Sequence, residues 1–556
     1  MNKAVRATLL STAAALAACA SDTPTTPHTL YTNGVFLTQD TNQPAANSMI
    51  VAGEEIIAVG TDLTLENGET VDLGGAAVLP GIIDSHVHVR ELGMDEIKAD
   101  LVGVETAEEI AARLTAFAPN PKAGEWIIGQ GWDEGAFGSR GYPDRAVIDA
   151  AFPNNPVALE SLHGFAGFYN GKALEIAGIT DATPNPEVGQ ILRRENGSAT
   201  GVMLTLAQGL VNQHIPKPDQ AQLEKAITAG LNKMAQAGVT SVHEAGMAAA
   251  DVTAFQSLAA KGELPIRVYG MLNGNDDDLM DAWFTRGILD DPKDWLDIRS
   301  IKVFYDGSLG SRTAVMQAPY SDKPDEANPT ERITPNAMLM LGKPAAAKGF
   351  QMAVHAIGDE GNNRTLNTYD TALENHPETD HRWRIEHAQI VLPDFYSRMA
   401  DKGIIASMQS SHAVGDSGWA EDRVGPARIQ HGYAWQRILA AGGRLIINSD
   451  LPGEPWEPMQ TLYFAVTRKR LDGTSGDDGT PEDGWYADQA LSVTEALHAM
   501  TLENAYAAFQ EDKLGSLTAG KWADFIVLSD NPLTTAPERL KDIKITSVYV
   551  AGRKIK

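Results

Sequence analysis

Cysteine is almost missing from this 556-residue chain: Cys19 is the only one, so no disulfide can form within it. Basic residues are scarce too, 45 Lys and Arg against 73 Asp and Glu, which leaves a formal net charge of −28. A surface that acidic repels phosphate backbones, so nucleic acid is not an expected partner. No apolar run is long enough to cross a bilayer, which excludes a polytopic membrane protein. What is present is an ordinary globular composition, 43% hydrophobic and 21% charged. A chain of this length buries large cores without disulfides.

The first residues read as a targeting segment. Lys3 and Arg6 precede an Ala-rich apolar stretch, the pattern of a secretory signal peptide over residues 1–18. It ends Leu16-Ala17-Ala18-Cys19, which resembles a bacterial lipobox. That resemblance implies export, lipidation of the Cys19 thiol and a membrane-anchored protein. Ala20, where an Asp would signal retention, implies the outer membrane, facing the periplasm. Residues 19–29, rich in Ser, Thr and Pro, read as a disordered tether.

Both chain ends have the texture of small β structure. The runs 29–38, 48–60 and 70–79 alternate and are broken by Asn-Gly and Gly-Gly pairs, and 514–532 and 545–556 look the same. Neither end alone buries enough to stand by itself, so one composite β-sandwich from 30–79 and 514–556 is expected. Between them, over 80–513, eight apolar runs end in polar residues: 78–88, 239–244, 265–271, 299–307, 350–359, 381–389, 403–411 and 443–450. Most are separated by stretches with helical spacing, such as 223–238. Eight strands, each with a crossover helix, is the count of a (β/α)₈ TIM barrel. Two further strand-like runs, 125–132 and 155–164, would make ten, so 89–230 reads as an insertion between the first two barrel strands.

In such a barrel, polar residues at the C-terminal strand ends face the active site. Those ends carry His86 and His88, Lys302, His355, His387 and Asp450. His86 and His88 are two apart and share a face. Such a pair can grip one metal, and His355 with His387 a second. Asp450 can ligate and also take a proton. These donors suit zinc, and equally manganese, iron, cobalt or nickel. Lys302 stands in an otherwise apolar strand, where an unpaired charge is costly. Asp133, His163, His243 and His412 are further substrate-binding candidates near the barrel mouth. Asp359 reads as a capping residue, and Trp419, Trp435 and Trp456 as pocket or core aromatics. No G-x-S-x-G elbow accompanies the serines near the strand ends, which argues against a serine hydrolase.

Leu79–His88, LPGIIDSHVH, resembles the first-strand motif of the metal-dependent amidohydrolase superfamily. GQGWDE (129–134), SLHGFAGFYNGKAL (161–174), IKVFYDGSLGSRTA (301–314), HAIGD (355–359), RIEH (384–387), NSDLP (448–452) and GSLTAGKWADFIVL (515–528) extend the likeness across the chain. The likeness is to amidohydrolase family 3, the YtcJ-like branch that includes N-substituted formamide deformylases. It implies a distorted barrel plus a β-sandwich, about two zinc or similar ions, and a carbamate on Lys302 bridging them. It further implies a metal-bridging hydroxide, oriented by Asp450, that cleaves the C–N bond of a small amide-type molecule. A homodimer is compatible with the same resemblance. Esterase or lactonase chemistry on this site is an alternative. A deaminase is disfavoured, because related deaminases place a Glu three residues after the fifth-strand His, and here that residue is Gly358. A non-catalytic surface lipoprotein has no reason to keep all six residues.

Overall fold

The computed structural model describes residues 27–132, 142–161, 166–186, 189–326, 328, 331–376, 380–476 and 483–556. Cys19 with the signal and most of the tether, Asp133, and His163 lie outside the described residues.

All eight expected runs become strands of one parallel sheet: β1 (Ile82–Val87), β2 (Val239–Met247), β3 (Arg267–Asn273), β4 (Leu296–Phe304), β5 (Gln351–Ala356), β6 (Arg384–His387), β7 (Ile405–Gln409) and β8 (Arg444–Asn448). Their spatial order follows the chain from β1 to β8, and at least one helix follows each strand. This is the sequential winding of a barrel. The strands are buried almost throughout, and most of the apolar side chains among them join the largest hydrophobic core.

β1 and β8 are the two ends of this order, and side chains join them more than a ladder does. One isolated parallel bridge pairs Val87 with Leu451. Asp450 N–H donates to His86 O at 2.9 Å, and Ser449 N–H donates to the Asp84 carboxylate at 3.0 Å. Deeper down, the Asn504 amide donates to both Ile83 O and Ile447 O, at 2.5 and 3.1 Å.

The run 78–88 supplies two sheets. Ala77–Pro80 belongs to a six-stranded sheet made from both chain ends, and Ile82–Val87 belongs to the barrel. Gly81 is the pivot: a Cβ there would lie 2.0 Å from Thr240 Oγ1 of β2, so no side chain fits at the crossing. The end sheet packs on a four-stranded sheet formed by His28–Thr32, Ser48–Ala52, Glu55–Gly60 and Glu69–Asp72. Between the two, the Phe525 and Tyr549 rings stack at 4.2 Å and Tyr31 meets both edge-on. Arg267, on β3, reaches this assembly through a buried ion pair with Asp524, Nε to Oδ2 at 2.7 Å.

The residues between β1 and β2 build a sheet of their own. Its six strands include Ile127–Trp132 and Val157–Ser161, the two runs that would otherwise have made ten barrel strands. Trp132, Leu159 and Phe168 lie in its separate core.

The helix that leaves β1, Val89–Glu96, crosses helix Gln220–Ala237 with backbone nearly touching backbone. A Cβ on Gly93 would lie 1.7 Å from Ala226 O, and one on Gly230 would lie 2.4 Å from Val89 O. Neither neighbour is a side-chain tip that can swing aside. Gly93→Ala is therefore expected to cost about 1–3 kcal/mol or more by overpacking. Thermal denaturation is the check, and an unchanged midpoint would show that the helices can slide apart freely.

Candidate active site

The polar residues picked out at the strand ends converge at one mouth of the barrel. Lys302 in β4 is essentially buried, with Nζ 2.9 Å from His86 Nε2 and 4.9 Å from the centre of the Phe304 ring. The His355 and His387 rings are 4.5 Å apart, and His387 lies 5.2 Å from His86. Asp450 sits among them. Its Oδ1 lies 3.2 Å from His88 Nε2 and 3.5 Å from His86 Nε2, and its Oδ2 lies 3.9 Å from His387 and 3.8 Å from His412. Two trios, His86-His88-Asp450 and His387-His412-Asp450, place their donor atoms within 4.8 Å of one another. The two trios share the Asp450 carboxylate.

Backbone strain helps to aim these groups. His387 has φ +77° and Asp450 has φ +56°, left-handed values that non-glycine residues seldom adopt. Each lies at or just beyond the end of its strand, where the alternation of faces would otherwise have turned it elsewhere.

Burial sets the charges. It lowers the imidazoles of His86 and His355 to about 4 and about 3, with the nearby Lys302 cation adding to the effect. His387 is driven well below its ordinary value by burial and by His355 beside it. Burial also brings Lys302 down to about 8, against the pull of Glu386 and Asp450. Burial opposes the charge on Asp450, but His86, His88, His387 and His412 outweigh it and hold the carboxyl well below the usual range. His86, His355 and His387 thus offer neutral imidazoles, and Asp450 an ionised carboxylate, near pH 7.

Behind these groups lies a polar layer that the sequence reading did not single out. His86 Nδ1–H donates to Glu386 at 2.6 Å, and Arg384 donates to both Glu386 oxygens at 2.7 and 2.9 Å. Ser407, Gln409 and Asn448 continue the layer from β7 and β8, all buried. A signal was available: like Lys302, these are polar residues in otherwise apolar strands. Arg384 and Glu386 belong to the RIEH motif.

The remaining candidates separate clearly. His412 lines the cavity, with its ring stacked on His387 at 5.9 Å and 19°. His243 does not line it: the ring is fully buried inside the barrel, with Nδ1 3.0 Å from Arg384. Asp306, two residues beyond β4, spends its oxygens on the backbone N–H groups of Val315, Ile357 and Gly358. Asp359 accepts from the N–H groups of Gln317 and Glu360 at the start of its helix. Trp419 lines the cavity and Trp435 lies in the core, while Trp456 faces a neighbouring hollow.

The cavity above the histidines has a volume of about 340 Å³. Phe304, Leu309, Ile357 and Trp419 give it an apolar wall, and Asp416 and Glu454 an acidic one. Burial pushes the Asp416 carboxyl up to about 7, and that of Glu454 upward. A larger hollow of about 650 Å³ lies between helix Val89–Glu96 and the insertion sheet. It holds none of the histidines, so the chemistry belongs to the smaller one.

Comparison with known proteins agrees with this geometry. The amidohydrolase family model matches residues 69–555. The chain is 30% identical to YtcJ of Bacillus subtilis (strain 168), over 87% of this chain and 90% of that protein. It is 25% identical to the N-substituted formamide deformylase of Arthrobacter pascens, over 94% and 96%. An uncharacterized metal-dependent hydrolase from Pyrococcus horikoshii OT3 superposes with a TM-score of 0.75 at 26% identity, covering 92% of this chain and 99% of that one.

Proposed function

Because the chain belongs to the amidohydrolase family, we propose that this metal-dependent hydrolase cleaves the C–N bond of a small amide-type molecule. His86, His88, Lys302, His355, His387 and Asp450 would hold two divalent ions, zinc or a similar metal. The observation that carries this reading is the convergence of His86, His88 and His387 on one carboxylate, Asp450.

The donor set fits such ions. The imidazoles lowered by burial keep lone pairs free near neutral pH. His355 Nε2–H donates to Gly307 O at 3.2 Å, so Nδ1 is its lone-pair nitrogen. With its pKa brought to about 8, a fraction of Lys302 is neutral amine at pH 7. That amine can add to the carbon of CO₂ and lose a proton, giving a carbamate that would offer carboxylate-like oxygens to the ions.

Bound ions supply Lewis acidity and ease the ionisation of water. The chain's own groups do the rest. Asp450 accepts the proton of the attacking water and delivers it to the leaving nitrogen. Gln389 Nε2–H donates to His412 Nδ1 at 3.3 Å, so His412 presents Nε2–H to the cavity and steadies the substrate oxygen. The acidic wall of Asp416 and Glu454 disfavours anionic substrates. The N-formyl amines acted on by the formamide deformylase are a suitable first class to try. The proposal includes export and anchoring through a lipid on Cys19.

Exhaustive dialysis against a chelator is expected to abolish hydrolysis of a panel of N-formyl and N-acyl amines, and added zinc, manganese or cobalt to restore it. A panel in which esters or lactones turn over and no amide does would overturn the C–N assignment. Folded protein that takes up no metal would overturn the whole reading.

A further inference from the structure

Resting on that ligand assignment, we propose that one buried carboxylate, Glu386, fixes the tautomers of two metal-binding histidines. It acts on His86 directly and on His387 through a relay of Ser407, Asn448 and Gln409.

The available protons decide which atom donates in each bond. Ser407 Oγ lies 2.6 Å from Glu386 Oε2, 3.0 Å from Arg384 Nη2 and 2.9 Å from an Asn448 amide atom. A guanidinium only donates and an ionised carboxylate only accepts. The single hydroxyl proton must therefore go to Glu386, so Ser407 can only accept from its third neighbour. Asn448 must turn Nδ2 toward Ser407, and its Oδ1 then faces Gln409. Gln409 must donate Nε2–H to that oxygen, at 2.6 Å, which leaves its Oε1 facing His387 Nδ1 at 2.8 Å. His387 must then carry its proton on Nδ1 and keep its lone pair on Nε2.

The orientations of both amides follow from the two charged ends of the chain and not from separate local choices. At the other end His86 donates Nδ1–H to the same Glu386 oxygen, so its lone pair is also on Nε2, the nitrogen facing Lys302. The members lie on β6, β7 and β8, and all are buried. No bulk water competes for these bonds, and hydrogen-bonded partners behind a ligating histidine fix its tautomer. Ser407, Asn448 and Gln409 are thus positioning residues. The relay ties a histidine of the first proposed metal site to a histidine of the second.

The test uses the full chain labelled with ¹⁵N-histidine, metal-free and zinc-loaded. In the metal-free protein, the ring ¹⁵N shifts of His86 and His387 are expected to report Nδ1-protonated imidazoles. Ser407→Ala is expected to change the His387 pattern and leave that of His86 intact. It is also expected to weaken one of the two zinc sites by about 10–100-fold while sparing the other. Ser407→Thr, which keeps the hydroxyl, is expected to restore both. An unchanged His387 tautomer with undiminished zinc affinity in Ser407→Ala would overturn the relay. So would equal loss at both histidines, which would indicate a general collapse of the layer. If the tautomers behave as expected and no zinc binds, the relay stands and the hydrolase reading falls.

Discussion

In a Lys302→Ala variant, bound metal is expected to fall from about two ions per chain to one or none, and hydrolysis by at least about 10³-fold, roughly 4 kcal/mol of lost barrier reduction. Lys302 is 1% exposed and its amine lies against an imidazole and an aromatic face. A buried ammonium there would be an expensive way to fill space. If the lysine were only structural, its removal would trim a side chain and leave the ions in place. Lys302→Met, which keeps most of the volume, separates cavity effects from ligand loss: it should stay folded and still lack the metal. Elemental analysis decides the matter. Two ions in a folded Lys302→Met protein would remove the lysine from the ligand set and leave the histidines and Asp450 to hold metal without a bridge.

The second large effect lies far from the mouth. Arg267→Ala is expected to destabilise the fold by about 3–5 kcal/mol, because it strands a buried carboxylate. Arg267 Nε and Nη2 bond the two oxygens of Asp524 at 2.7 and 3.2 Å, and both side chains are almost fully buried. The guanidinium also donates to Lys293 O and lies about 5 Å from the Trp295 and Trp522 rings. Lysine cannot reproduce that fork or the stacking, so Arg267→Lys should recover little. Pairing Arg267→Met with Asp524→Leu should recover most of the loss, since both charges then leave together. The denaturant midpoint is the readout. A shift worth less than about 1 kcal/mol for Arg267→Ala would mean that water reaches Asp524 once the arginine is gone.

Much of this architecture was legible in the sequence because buried parallel strands read as apolar runs whatever surrounds them. All eight runs became barrel strands, and the likeness to amidohydrolase family 3 agrees with the family match. The strand limits were less visible. The run 78–88 hid a change of sheet at Gly81, because continuous apolarity does not mark where one core ends and the next begins. The inner polar layer was hidden for another reason. Period-two alternation cannot place Glu386 and His387 on the same side of β6, yet both reach inward. The positive φ of His387 breaks the period, and such angles at non-glycine residues leave no trace in composition. Asp416 and Glu454 share the cavity wall although 37 residues separate them, and no local pattern reveals that meeting.

The junction of β1 with β8 has a consequence for how the barrel breathes. Side chains and a single bridge hold these strands, so this is where the cylinder should unzip first. On the proposed ligand set, His86 and His88 stand on one lip of that seam and Asp450 on the other. An ion gripped by all three would act as a rivet across the gap. Loading metal would then slow amide exchange most in β1 and β8 and least in β3, which carries none of the proposed ligands. The atoms that do the chemistry would be the same atoms that keep the vessel shut.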